Sequence, residues 1–271
     1  MANYSEQFER FIELKDITVV RDGRTILDIP HAVIPADRIA ACIGPNGAGK
    51  TTLLKFLAGI IQPDTGTIQF SFDSKTALVL HHTPMIKASA RANLALVKEV
   101  DNTITESEIG AALEQVGLKE QAQTPAHRLS AGERQKLCLA RAILQKPSLV
   151  LLDEPTANLD PNTTEQVEDM IRELRTQGSD VIFSSHQLAQ VQRLAQYILF
   201  IDQGELKEKE RGSRSGNPSP NRSHLSLLQT NFRDRSCSSP SISKSALPSA
   251  TLQAISRLSA KRVATSSVIL S

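Results

Sequence analysis

The sequence predicts an α/β fold in which a parallel sheet is covered by helices on both faces. Three observations predict it. Short, wholly apolar runs, Ile39 to Ile43 and Leu149 to Leu152 among them, have the length of strands buried on both sides. Longer stretches with helical periodicity lie between those runs, the alternation that joins parallel strands by crossover helices. Finally, Gly44-Pro45-Asn46-Gly47-Ala48-Gly49-Lys50-Thr51 stands between one apolar run and the helical stretch Thr52 to Ala58. That is the strand–loop–helix context of a phosphate-binding P-loop.

The elements follow in order. Phe11 to Val20 largely alternates apolar with polar residues and reads as a half-buried strand. Asp22-Gly23 is a hairpin signal, with Thr25 to Ile29 as the return strand. Gly59 and Pro63 stop the helix after the P-loop, and Gly66 opens a short strand, Thr67 to Phe70. Ala77 to Leu80 is another buried run. From Pro84 to about Arg128 the pattern is helical and mixed, without a strand, and reads as a helical subdomain at about 84–135 inserted between core strands. Ser130 offers an N-cap to a helix that ends near Gln145, before Lys146-Pro147. Leu149 to Leu152 is a strand ending in Asp153-Glu154. Asp160 caps, and Pro161 starts, a helix that ends near Gly178. Val181 to Phe183 is a strand, Gln187 to Ala195 a helix, and Tyr197 to Ile201 the last strand.

Composition narrows the function. The chain has 271 residues, 40% of them apolar, enough for a substantial core. No run approaches the roughly 18 to 20 consecutive apolar residues of a membrane helix. The N-terminus lacks a basic-then-apolar leader pattern, so a cytosolic protein is expected. Cys42, Cys138 and Cys237 form no CxxC pair, and the first two sit in apolar patterns as buried spectators. The net charge of +2 divides unevenly: residues 211–271 carry nine Lys/Arg and one acid, leaving residues 1–210 at −6. An acidic body argues against a nucleic-acid partner. The stretch 211–271 is basic and serine-rich and reads as a disordered tail.

In the P-loop, small residues let backbone N–H groups close around phosphate oxygens, and the helix start adds a positive dipole end. Gly44 through Thr52 would form this cradle, with Lys50 reaching the β- and γ-phosphates and the Thr51 hydroxyl ligating Mg²⁺.

Further motifs carry a resemblance. Leu129-Ser130-Ala131-Gly132-Glu133 resembles the signature motif of ATP-binding-cassette (ABC) ATPases. Leu149 to Glu154 resembles their Walker B strand, Ala157-Asn158-Leu159-Asp160 their D-loop, and Ser185-His186 their switch histidine. With the P-loop these span roughly residues 10–207 in the family's order. The resemblance implies a P-loop NTPase core of ABC-ATPase type, with an N-terminal β portion and the inserted helical subdomain, in a domain at 1–210. It implies ATP and Mg²⁺ as ligands. Asp153 would hold the metal opposite Thr51, Glu154 would accept a proton from the attacking water, and His186 would hold the γ-phosphate and orient Glu154. Ser130 and Gly132 would meet the γ-phosphate of an opposite protomer in an ATP-bound homodimer, with Asp160 in the D-loop beside them.

Two positions depart from the family pattern. The aromatic that stacks on adenine is missing from Val19-Val20-Arg21-Asp22; either Arg21 lays its guanidinium over the base or it is an exposed turn residue. The glutamine that contacts Mg²⁺ and the membrane partner aligns best with His81, with His82 as the alternative. Met85 to Leu94, Pro155 to Pro161 and Ser185 to Ala195 look most like importer ATPases for tungstate or molybdate. The implied protein is a motor subunit at the cytoplasmic face of the membrane, docked on separate transmembrane permease subunits and served by an extracytoplasmic solute-binding protein. The alternatives are a soluble ABC ATPase and a nucleotide-dependent regulator not coupled to transport.

Overall fold

In the computed structural model, which describes residues 8–211, the apolar runs form strands as expected, but the sheet they build is mixed. Nine strands, β1 (Phe11–Arg21), β2 (Arg24–Pro35), β3 (Ile39–Ile43), β4 (Thr65–Phe70), β5 (Thr76–Val79), β6 (Leu149–Asp153), β7 (Asp180–Ser185), β8 (Tyr197–Asp202) and β9 (Glu205–Arg211), lie in the order β4-β1-β2-β9-β8-β3-β7-β6-β5. The block β8-β3-β7-β6-β5 is parallel. Every residue of β3, β6 and β7 is buried, the polar Asp153, Asp180, Ser184 and Ser185 at the strand ends as well as the apolar runs between. On the other side β4-β1-β2 is antiparallel, the N-terminal β portion that the Asp22-Gly23 hairpin signal marks. Its cause is local: Asp22 (φ 51°) and Gly23 (φ 73°) give two successive left-handed residues, the hairpin geometry whose twist matches the strands. In β1 the buried positions change phase at an irregularity near Asp16 (φ 53°), so Ile12, Leu14, Ile17 and Val19 are all at most 1% exposed.

Tyr197 to Ile201 is not the last strand. Gln203 (φ 52°) and Gly204 (φ 83°) turn the chain into β9, which runs antiparallel to β8 and touches β2 in parallel at Asp28 and Glu205. Strand β9 runs to Arg211, the last described residue. The rest of the proposed tail lies outside the described residues.

The helices are α1 (Lys50–Leu57), α2 (Ala90–Ala95), α3 (Glu106–Gln115), α4 (Ala131–Leu144), α5 (Pro161–Thr176) and α6 (Leu188–Leu194). Leu53, Leu54, Phe56 and Leu57 of α1 share one buried cluster with Ile17, Val19 and Leu27 of the antiparallel arm and with Leu151, Ile182 and Leu199 of the parallel block. Fully burying each such side chain contributes about 1.5–3 kcal/mol, so α1 fastens the two halves of the sheet together. A second cluster, Leu94, Val97, Ile109, Leu113, Leu137 and Leu144 among its members, is the core of the helical insertion. No strand interrupts it among the described residues.

Candidate active site

The P-loop joins β3 to α1. Its glycines are required by geometry: a Cβ on Gly44 would stand 2.0 Å from the Ile201 carbonyl oxygen, while Gly47 (φ 78°) faces open space. Gly49 (φ 108°) caps α1 without a side-chain hydrogen bond, so no side chain occupies the N–H groups of the first turn. Lys50 is 7% exposed, and its Nζ donates to the carbonyls of Gly44 (2.9 Å) and Pro45 (3.1 Å). A buried ammonium held by neutral carbonyls beside an uncapped helix start suits an anion such as a triphosphate. Ala48 is buried, and its carbonyl accepts from the Gly204 N–H of the β8–β9 turn at 2.9 Å. Pro45, Asn46 and Thr52 lie at or near the surface of the loop.

Facing the loop, the end of β6 presents Asp153, 6% exposed. Thr51 Oγ1 donates to its carboxylate at 2.9 and 3.1 Å, and Ser184 Oγ donates to Oδ1 at 2.7 Å. One hydroxyl and one carboxylate form the hard oxygen pair suited to Mg²⁺, which is commonly held by one or two carboxylates beside substrate phosphates. Glu154 follows with φ 51°, a left-handed conformation that costs a non-glycine residue about 1–2 kcal/mol. Its N–H donates to Ser184 Oγ at 2.9 Å, and its Oε2 lies 2.7 Å from His186 Nδ1. Cys42, one strand over from Ser184, is fully buried; desolvation, with Asp153 and Glu154 adding to it, pushes its thiol up to about 12. It is the inert neighbour its apolar setting implied.

His81 lines a cleft of about 280 Å³ together with Asn46, Glu154, Asn158 and His186. His82, its ring centroid 4.2 Å from that of His81, lines the adjoining groove of about 440 Å³ beside Arg134, Cys138 and Leu159. Of the two histidines that sequence spacing leaves open, His81 is thus the one that shares the cleft of Glu154 and His186. Arg21 sits at the end of β1, where its guanidinium donates to the carbonyls of Val20 (2.6 Å) and Gln62 (3.4 Å) and pairs with Asp64 at 3.5 Å.

Ser130, Gly132 and Asp160 gather elsewhere, at the starts of α4 and α5. Ser130 is exposed and caps α4 in a reciprocal box with Glu133. A Cβ on Gly132 would meet Thr163 Cγ2 at 2.5 Å, so a side chain there would force the two helix starts apart. The hydroxyl and N–H of Thr163 donate to Asp160 and hold its carboxyl below the usual range. Among the described residues, the Ser130 and Asp160 side chains make no hydrogen bond to the P-loop, Asp153 or Glu154.

Sequence reasoning missed two buried polar links. Ser184, 0% exposed, joins Asp153 to Glu154. Gln190 of α6, 1% exposed, donates to Thr156 Oγ1 at 2.8 Å, tying the helix after His186 to the loop after Glu154. A polar residue at the end of an apolar strand or inside a helical run is the signal each offered.

The family model for ABC transporter matches residues 28–157, from β2 through the P-loop and signature motif to the start of the D-loop. Over 198 residues the chain is 32% identical to the tungstate uptake system ATP-binding protein TupC of Peptoclostridium acidaminophilum, covering 69% of this chain and 92% of that one. This chain belongs to the ABC transporter ATP-binding family. The ABC ATPase is also 35% identical over 196 residues to the lantibiotic transport ATP-binding protein SrtF of Streptococcus pyogenes, covering 69% of this chain and 85% of that one. Its fold is that of a solved ATP-binding subunit of an ABC transporter, with a TM-score of 0.68 at 22% identity over 81% of this chain and 99% of that one. Like its family, this ABC ATPase binds and hydrolyses ATP and serves as the motor component of a transporter. No helix among the described residues is long and apolar enough to cross a membrane.

Proposed function

We propose that this ABC ATPase drives an importer of tungstate- or molybdate-like oxyanions, and that Glu154 is the general base of its hydrolytic step. The observation that supports the base assignment is the continuous chain of contacts Thr51–Asp153–Ser184–Glu154–His186 at the mouth of the P-loop. Thr51 and Asp153 would hold Mg²⁺, with His81 beside them; the metal supplies charge neutralisation to the transferring phosphoryl group. Lys50 and the loop N–H groups bind the β- and γ-phosphates. Glu154 takes the proton of the attacking water, and His186, 2.7 Å from its carboxylate, fixes the orientation in which it does so. The exposed Ser130, with Gly132 and Asp160, would close the equivalent site of a second copy, so that an ATP-bound homodimer contains two composite sites. The chain would work at the cytoplasmic face of the membrane on separate permease subunits, supplied by an extracytoplasmic solute-binding protein. A domain ending with β9 carries this activity, and the stretch beyond Arg211 stands outside it. The comparable identity to a lantibiotic transport protein favours a second reading, export.

Glu154→Gln tests the base. It is expected to bind ATP as the parent does, to turn over at no more than about 1% of the parental rate, and to accumulate as an ATP-bound dimer, because general-base assistance is worth about 10²–10⁴-fold. Near-parental turnover would sink the assignment. Copurification decides between the transport readings: a permease with an associated solute-binding protein supports import, and a peptide-exporting permease supports export.

A further inference from the structure

We propose that Ser184 is a positioning residue for ATP hydrolysis: its one buried hydroxyl orients the Asp153 carboxylate and the Glu154 backbone together. The inference rests on the reading of Asp153 as metal ligand and Glu154 as base. Ser184 is 0% exposed and follows Val181-Ile182-Phe183 in β7, where alanine would satisfy packing alone. Its hydroxyl instead uses both kinds of hydrogen bond, donating to Asp153 Oδ1 at 2.7 Å and accepting from Glu154 N–H at 2.9 Å.

The register explains the double role. Asp153 and Ser184 are the last residues paired between β6 and β7. Glu154 therefore leaves the sheet where the ladder ends, turning left-handed at φ 51°. Ser184 Oγ accepts its N–H in place of a next strand carbonyl, which anchors the residue at the moment it turns. Asp153 has a second donor, Thr51. Thr51 belongs to the P-loop: its oxygen lone pairs would serve the metal while its O–H donates to the carboxylate, so it ties Asp153 to the phosphate loop. Ser184, on the neighbouring strand, is the donor that ties Asp153 to the sheet and to the Glu154 backbone. Partners of metal-binding carboxylates act in this way on metal affinity, and losing one costs about 10–100-fold.

The test is a Mg²⁺ titration of a fluorescent ATP analogue bound to the full chain, with unfolding temperature measured in parallel. Ser184→Ala is expected to bind the analogue without Mg²⁺ as the parent does, and to need about tenfold more Mg²⁺ for half-maximal effect. Ser184→Thr, which keeps the hydroxyl, is expected to retain the parental Mg²⁺ midpoint. An unchanged midpoint in Ser184→Ala, or an equal shift in both variants, would overturn the proposal, since a packing role moves the unfolding temperature and leaves Mg²⁺ affinity alone. If Ser184→Ala does not fold, Ser184→Cys takes its place, because a thiol fills the volume but donates weakly. Asp153→Asn in the same titration separates the two readings. A shift there without one in Ser184→Ala removes Ser184 alone, and no shift there removes the metal assignment and this inference with it.

Discussion

Glu154 occupies a backbone conformation that most side chains avoid, and the site is organised to keep it there. Glycine at this position would relieve about 1–2 kcal/mol of left-handed strain while giving back about 0.5–1 kcal/mol in chain entropy. Glu154→Gly is therefore expected to unfold within about 1 kcal/mol of the parent, on the stable side, while losing ATPase activity. Thermal unfolding beside a turnover assay checks it; a loss of several kcal/mol would mean that the His186 contact, not the backbone, dominates this position. The sequence singled out Glu154 and His186 through their resemblance to the Walker B and switch-histidine motifs, each just past an apolar strand. Ser184 was not, since a serine ending an apolar run reads as the ordinary exit from a sheet. Spacing favoured His81 over His82 but left the second as an alternative. That choice depends on how the chain rotates as it leaves β5, which packing sets.

The helices announced their own boundaries. Ser130 and Asp160 cap α4 and α5 where the sequence placed them, and Pro161 and Gly178 mark the limits of α5. Thr105 and Glu108 form a similar reciprocal box at α3, where the Thr105 N–H, followed by Lys146, lowers the Glu108 carboxyl to about 2. A carboxyl so lowered contributes its stability above the ordinary range near 4.5 and loses it as pH falls toward 2. The two caps differ in what else they are asked to do. Thr105→Ala and Ser130→Ala should each cost about 1 kcal/mol of stability. Only Ser130→Ala is expected to lower ATPase activity as well, by weakening closure of the dimer. Equal activity in the two variants would reduce Ser130 to a cap. Strand β9 escaped notice for a physical reason: Glu205 to Arg211 contains one apolar residue, Leu206, so no alternation marks it. What holds it is the ladder with β8, and that depends on a turn with two left-handed residues rather than on hydrophobic pattern.

At the scale of the molecule, β9 is the strand on which the two halves of the sheet meet. It lies between β2 of the antiparallel arm and β8 of the parallel block, and the turn before it bonds to both Ala48 and Asp28. Two truncations separate this role from that of the basic stretch beyond. A chain ending at Arg211 is expected to keep its unfolding temperature and an ATPase rate within about twofold of the parent, since segments of that composition add few native contacts. A chain ending at Asp202 is expected to lose cooperative unfolding and nucleotide binding. Calorimetry and an ATP-binding assay read both, and a stable, nucleotide-binding shorter chain would show that α1 alone joins the halves. The bond from Gly204 N–H to the Ala48 carbonyl has a consequence for how the protein is made. The phosphate loop leaves the ribosome early, yet its brace is supplied by residues translated about 150 positions later, and contacts so distant in sequence form slowly. A nascent chain therefore carries the whole loop sequence through about 150 residues of further synthesis before the turn that braces the loop exists.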